Sequence, residues 1–519
     1  MDSIFNYGSD YLTIGICLDI AAGKANGIID GLAAAKIRVS RRDVEKIAHG
    51  QEAVYGINTG FGPLCDTRIS EADTSLLQSN LLKSHSVGVG KPIPVEIAKL
   101  MLVTKVHALA KGFSGISIET LDRIIWHIDH DIIPVVPEKG SVGASGDLAP
   151  LAHLFLPLIG LGKVYEKGEI TPASDVLAQH NLKPLVLGPK EGLALINGTQ
   201  FILAFAIKAV ERLNDALNRA DIIGAMSLEG MMGSARPFDE RLHELRPFKG
   251  TKLVAKRLHM LLKNSEICHS HENCDRVQDP YSLRCMPQVH GASRNAWLHL
   301  KELTEIELNS VTDNPIIFSA DDTISGGNFH GQPLAIPLDY ATIAAAELGN
   351  IADRRCYLMT EGRYGLPKLL TDNPGLQSGL MIPQYTTAAL VTENKTLCFP
   401  ASADSVPTSL GQEDHVSMGS ISGRKLHQVI DNLEYIQAIE LLYACQAIDF
   451  RRPLKSTPVI EACQTLVRNK VPFIDDDRLF SEDIDQIHQL IVTGEFLKTS
   501  NATALKHQIN ISDDEFGIY

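Results

Sequence analysis

Residues 202–213 read ILAFAIKAVERL and set Ile202, Ala206, Val210 and Leu213 on one side, while Lys208, Glu211 and Arg212 point elsewhere. Steps of three and four residues return to the same side of an α-helix because a turn takes about 3.6 residues. A chain that repeats such stripes builds its core from helix faces, and this one does. Ala341, Ala345, Leu348, Ala352 and Arg355 form a second stripe after Pro337, whose missing N–H suits a first helical turn. Val429, Leu433, Ile436, Ile439 and Tyr443 form a third. Strand signals are few. KVYE at 163–166, a Lys167-Gly168 turn and Glu169-Ile170 read as one hairpin; Ile316–Phe318 with Thr323-Ile324 read as another. No internal repeat interrupts the pattern. The expectation is a mainly α architecture of long helices, with a smaller mixed N-terminal region over residues 1–200 and a helical region over 201–519.

Composition excludes several classes. The 519 residues are 44% hydrophobic and 21% charged, which is ordinary for a globular chain. A formal net charge of −14 leaves no broad basic footprint, so no nucleic-acid partner is expected. Met1-Asp2 opens without a basic start, and the most apolar stretch, 148–161, is interrupted by Pro150, His153 and Pro157. No secretory leader and no membrane partner are therefore expected, and the location expected is the cytoplasm. Nine scattered cysteines make no disulfide framework. Cys268, His269, His271 and Cys274 are zinc-ligand types, but they crowd into seven residues where a zinc finger spaces two pairs, so no metal is expected.

Polar clusters fall in five loops: 55–62, 140–150, 197–200, 278–288 and 412–419. The second reads GSVGASGDLAP and is the sharpest. It lacks the Gly-Lys-Ser/Thr ending of a phosphate loop. Its glycines at 140, 143 and 146 miss the dinucleotide spacing, and Asp147 stands where a nucleophile elbow needs its last glycine. Ala144-Ser145-Gly146 permits different chemistry. The Gly146 amide nitrogen can approach the Ala144 carbonyl carbon, since glycine has no Cβ to block it. Ring closure with loss of water makes an imidazolone, and loss of the Ser145 hydroxyl leaves an exocyclic methylene, a strong electrophile. A plain small-residue turn before a helix capped by Asp147 fits the same letters.

GASGDLAPLAH at 143–153 resembles the signature of the aromatic amino-acid lyase family, and the similarity runs from YGINTGFG at 55–62 to Val471-Pro472-Phe473 and Arg478. The resemblance implies a long-helix bundle of the fumarase/aspartase-like kind. It implies the prosthetic group 4-methylidene-imidazol-5-one, formed autocatalytically from Ala144, Ser145 and Gly146, with no external cofactor. It also implies a homotetramer whose active sites are completed by loops from three chains.

The resemblance carries roles to individual residues. Tyr55 matches the base that takes the β-proton, a role that asks a phenol to ionise far below its usual pKa of about 10. Asn197 matches an asparagine beside the electrophile, whose amide can both donate and accept; a helix N-cap is the plainer job for it. Gln278, Tyr281 and Arg284 match a loop that orders the prosthetic group and holds substrate. Arg284 is the expected carboxylate clamp, because guanidinium grips carboxylate with two parallel bonds. Phe329 matches a wall of the pocket. Substrate choice falls to two residues. His85, in Ser84-His85-Ser86, argues against phenylalanine. Glu413, in QEDHVSM at 412–418, can accept from an imidazole N–H but would face an apolar ring unpaired. The expected reaction is elimination of ammonia from L-histidine to trans-urocanate, the first step of histidine degradation. Elimination or amino-group migration on tyrosine, with the same electrophile, is the alternative. Arg246 and the Asp475-Asp476-Asp477-Arg478 run also resemble the histidine type and read as structural.

Overall fold

The computed structural model describes residues 3–50, 52–60, 62, 67–70, 73–513 and 519. Phe61, part of the quoted tyrosine motif, lies outside them. Long helices dominate: Gln200–Gly230, Met286–Leu308, Gln332–Thr360 and Gly419–Asp449. The three stripes are their buried faces. Ile202, Ala206, Val210 and Leu213 are buried, as are Val429, Leu433, Ile436, Ile439 and Tyr443. In the second stripe Arg355 is buried as well, and its guanidinium is paired with Glu440 at 2.5 and 3.0 Å. That pairing is what lets a charge sit in a helix core.

Pro337 departs from its expected place. The helix begins at Gln332, Pro333 takes the first-turn position, and Pro337 sits one turn further in. Its missing N–H leaves the carbonyl of residue 333 without the usual intrahelical donor, which is the cost of a proline inside a helix.

Two apolar cores are strung along the helices. One gathers Phe5, Leu102, Phe155 and residues 201–220 of the Gln200–Gly230 helix; the other gathers residues 222–231, Val254, Leu442 and Ile487. A helix of 31 residues spans about 46 Å, so one element serves both cores and separates their ends by that length. Both expected hairpins are present. Lys163–Glu166 pairs antiparallel with Glu169–Pro172 through Lys167 and Gly168, both at positive φ, and Ile133–Pro134 adds a third strand. Ile316–Ser319 pairs with Asp322–Ile324. The periodicity did not signal the parallel pair Ser3–Asn6 and Ala25–Ile28, or Val89–Pro92 against Pro137–Lys139. Strands of three or four residues carry too little alternation to read.

The Leu433 side chain is fully buried in the first core. Leu433→Ala is expected to lower unfolding stability by about 2–5 kcal/mol, as large-to-small core changes do. A denaturant midpoint unchanged from the parent would contradict this placement.

Candidate active site

The loop 140–147 is held where helices begin. The Asp147 carboxylate accepts the N–H groups of Phe201 and Ile202 at 3.1 and 3.0 Å, and the Ser141 hydroxyl at 2.8 Å. It thus caps the Gln200–Gly230 helix, two residues of which would otherwise present orphan donors. This differs from the simple turn considered above. Asp147 also precedes its own helix, Leu148–Phe155, but makes no side-chain cap there. The Met418 N–H and the Ser420 hydroxyl, at the start of the Gly419–Asp449 helix, donate to the Val142 and Ser141 carbonyls at 3.0 and 2.6 Å. Gly331, before the Gln332–Thr360 helix, packs so closely that a Cβ would stand 2.5 Å from Ile202 and 2.8 Å from the Ser417 hydroxyl. Three long helices therefore point their partially positive ends at one tripeptide.

The tripeptide is tightly wound. Gly143, just before it, and Gly146, its last residue, stand at φ +68° and +76°. Gly146 lies against Gly198: a Cβ at 146 would fall 2.1 Å from the Gly198 carbonyl oxygen, so no other residue fits. Asn197 is not an N-cap. It ends the short Glu191–Ile196 helix, and its Nδ2 donates to the Ser145 carbonyl at 2.8 Å. Its Oδ1 is buried with no hydrogen-bond partner among the described residues. A buried orphan acceptor beside this loop can take a ligand N–H.

Tyr55, His85, Ser145, Asn197 and Glu413 line one cavity of about 420 Å³, a size suited to a small molecule. The Tyr55 loop is stapled by Asn58, whose side chain binds the Val54 N–H and the Glu52 carbonyl at 2.8 Å each. The Tyr55 oxygen accepts the Gly62 N–H at 3.3 Å. His85 ends the Thr74–His85 helix. Its Nδ1 lies 2.9 Å from the Leu81 carbonyl and 3.0 Å from the Ser84 hydroxyl; the carbonyl can only accept, which favours the proton on Nδ1 and a lone pair on Nε2. Burial lowers the His85 pKa, which keeps the ring neutral. The Glu413 carboxylate accepts three hydroxyls: Ser145 at 2.5 Å, Thr408 at 2.8 Å and Ser409 at 3.0 Å. Thr408 and Ser409 escaped the sequence reading, because hydroxyl residues in a loop give no periodic signal.

The other candidates lie elsewhere. Phe329 sits in the turn before Gln332, half-buried, beside His330, whose Nε2 is 3.3 Å from the His415 carbonyl; it does not line the cavity. Gln278, Tyr281 and Arg284 are at the opposite end of the molecule. Their loop is tied to the C-terminal end of the Gln200–Gly230 helix, through Ser234 N–H to Asp279 at 2.7 Å and Arg276 to Asp279 at 2.8 Å. That helix length puts them about 45 Å from Ser145 within one chain. Arg284 donates to the Asp279 carbonyl and to Gln278 Oε1, and stacks over the Tyr281 ring at 4.6 Å. Tyr281 and Val277 are 71% and 94% exposed.

Three members of the cysteine and histidine cluster are engaged in other bonds. Cys268 donates to Glu229, His271 meets the Ile267 and Gly233 carbonyls, and His269 pairs with Glu272. Asp475–Asp477 ties down residues 377–379. Arg246 stacks on Phe248. A larger groove of about 830 Å³ follows the Lys249–Leu262 helix but includes none of the five loops. No helix among the described residues is long and apolar enough to cross a membrane.

A bundle whose helix N-termini converge on an Ala-Ser-Gly loop defines a lyase class, and the chain belongs to the aromatic amino acid lyase family, whose model matches residues 12–469. Its relatives narrow the comparison. A histidine ammonia-lyase of Myxococcus xanthus is 47% identical over 490 residues, 94% of this chain and 96% of that protein. The crystal structure of histidine ammonia-lyase from Trypanosoma cruzi superimposes with a TM-score of 0.88 at 41% identity, covering 97% of this chain and 96% of the other. A tyrosine aminomutase from Streptomyces globisporus superimposes at 0.91 with 34% identity, over 97% and 99%.

Burial raises the Asp147 carboxyl to about 6. A folded-state pKa above the unfolded value means the folded chain binds the extra proton between the two. Stability contributed by this group therefore falls as pH rises from about 4 to about 6, by roughly 3 kcal/mol for a shift of some two units. Unfolding measured across that range is expected to drop in the parent relative to Asp147→Asn. Parallel profiles would contradict the buried, desolvated carboxyl.

Proposed function

We infer that this protein eliminates ammonia non-oxidatively from L-histidine and releases trans-urocanate. The observation that carries the choice of substrate is the pair of acceptors at one wall of the cavity, the Glu413 carboxylate and the His85 Nε2 lone pair. A ring with N–H donors satisfies them. A phenyl ring would offer neither acceptor a donor. The histidine ammonia-lyases among the relatives support the same substrate.

The residues present fit 4-methylidene-imidazol-5-one. Ala144-Ser145-Gly146 supplies its atoms, the Asn197 Nδ2 already sits on the Ser145 carbonyl that becomes the ring carbonyl, and three helix N-termini favour negative charge there. When formed, the group supplies an electrophilic carbon that accepts the substrate, through its amine or its imidazole ring. The chain does the rest. Asn197 Oδ1, the orphan acceptor, takes a substrate N–H. Tyr55 removes the β-proton, and the Gly62 N–H on its oxygen stabilises the negative charge this base must carry. Glu413 and His85 hold the imidazole.

The carboxylate clamp must come from another copy. A guanidinium about 45 Å away cannot reach substrate in its own chain, yet its loop is exposed and its Arg284 is pre-stacked on Tyr281. A homotetramer that brings the 278–284 loop of one copy to the Ser145 loop of another accounts for both facts.

Purified protein given histidine is expected to produce urocanate absorbance, and Ser145→Ala to lose it. Comparable activity in the two would overturn the mechanism, and coumarate from tyrosine without urocanate would overturn the substrate. Glu413→Gln removes a charge-assisted bond worth about 2 kcal/mol, so kcat/KM for histidine is expected to fall roughly 30-fold. Ser145→Ala and Arg284→Met, each inactive alone, are expected to regain part of the activity when co-expressed. Absence of any recovery in mixed oligomers would count against a site shared between copies.

A further inference from the structure

Lys105 is a charge in the wrong place for packing alone. It lies in the Val95–Ala110 helix, within the apolar run LMLVTKVHALA at 100–110, and is 1% exposed. The carboxylates that act on it are already taken. Asp313 pairs with Lys190 at 2.7 Å, and Asp147 caps the Gln200–Gly230 helix. The ammonium also stands beside a helix N-terminus, whose partial charge is positive. Desolvation pushes its pKa down to about 7. Burying such a group without a carboxylate of its own carries a desolvation cost.

Its contacts give it a use. Lys105 Nζ donates to the Asn197 carbonyl at 2.6 Å and approaches Gln200 Oε1 at 3.4 Å. Asn197 in turn donates its side-chain amide to the Ser145 carbonyl. The next residue, Gly198, bridges Gly146, and its carbonyl accepts the Asp147 N–H at 2.7 Å. One ammonium therefore holds the Asn197-Gly198 segment, and that segment touches 145, 146 and 147 in turn.

We propose that Lys105 is a positioning residue for maturation: it holds Asn197-Gly198 against the tripeptide so that the Gly146 nitrogen closes on the Ala144 carbonyl carbon. The proposal rests on the prosthetic-group assignment above. In that closure a bond forms between Gly146 N and Ala144 C. The Ala144 carbonyl oxygen departs as water with the hydrogens of Gly146 N and Ser145 N, leaving a C=N bond. The Ser145 hydroxyl departs as a second water with the hydrogen on its Cα, leaving the methylidene. No oxidant or other co-reactant is needed.

The test follows the intact mass of freshly synthesised protein with time, alongside thermal unfolding. The parent is expected to become two waters lighter. Lys105→Met is expected to give a cooperative melting transition yet lose water roughly 10²-fold more slowly, the scale set by a misplacement of about 1 Å. Lys105→Arg, which keeps a buried cationic donor, is expected to restore processing. Should Lys105→Met fail to fold, Lys105→Gln gives the same comparison, with the same slowing expected. Processing of either folded neutral variant at the parent's rate overturns the role of Lys105 alone. A parent that never becomes lighter overturns the prosthetic-group assignment itself.

Discussion

The bond between the Asp147 carboxylate and the first N–H groups of the Gln200–Gly230 helix is the constraint on which the site depends. A helix start must satisfy orphan donors, and here the acceptor comes from a loop more than fifty residues earlier in the chain. That choice brings the Ala144-Ser145-Gly146 turn onto the end of a 31-residue helix. The Gly419–Asp449 helix then fixes the other side of the turn through Met418 and Ser420. Because each helix is packed along its length, the loop inherits the rigidity of the bundle.

The site spends stability for this order. Asp147 and Lys105 are both buried, and desolvation opposes the charge on each. Gly143, Gly146 and Gly198 all adopt positive φ, and close contacts at all three exclude a side chain. Elsewhere the buried charges are arranged to favour the fold: Asp221 binds Arg257, Arg294 and His290, which holds its carboxyl well below the usual range. The contrast separates a network that stabilises the bundle from one that arranges the 144–146 turn.

Helix length also decides what one chain can do alone. The Gln200–Gly230 helix carries the Ser145 loop at one end and the Arg284 loop at the other. The elements that make the fold stable thus keep the two loops apart within one chain, and the proposed function joins them through assembly of copies.

Much of this was legible from the amino-acid order. The three stripes named their helices, because a 3.6-residue period is a local property that survives without knowledge of neighbours. The Ala-Ser-Gly turn and its resemblance pointed to a lyase, and Tyr55, His85, Ser145, Asn197 and Glu413 do share a cavity. Asn197 was open to reading as a cap, and Pro337 was expected one turn too early, since local propensity cannot say which of two nearby prolines starts a helix. Lys105 stood out only as a lysine in an apolar run, and its partner lies 92 residues away. Sequence by itself determined the helices and singled out the Ala-Ser-Gly tripeptide, because both depend on residues adjacent in the chain. Only the tertiary structure decided which carboxylate caps which helix, which hydroxyls surround Glu413 and how far Arg284 stands from Ser145, because those depend on contacts between segments that the chain order leaves unrelated.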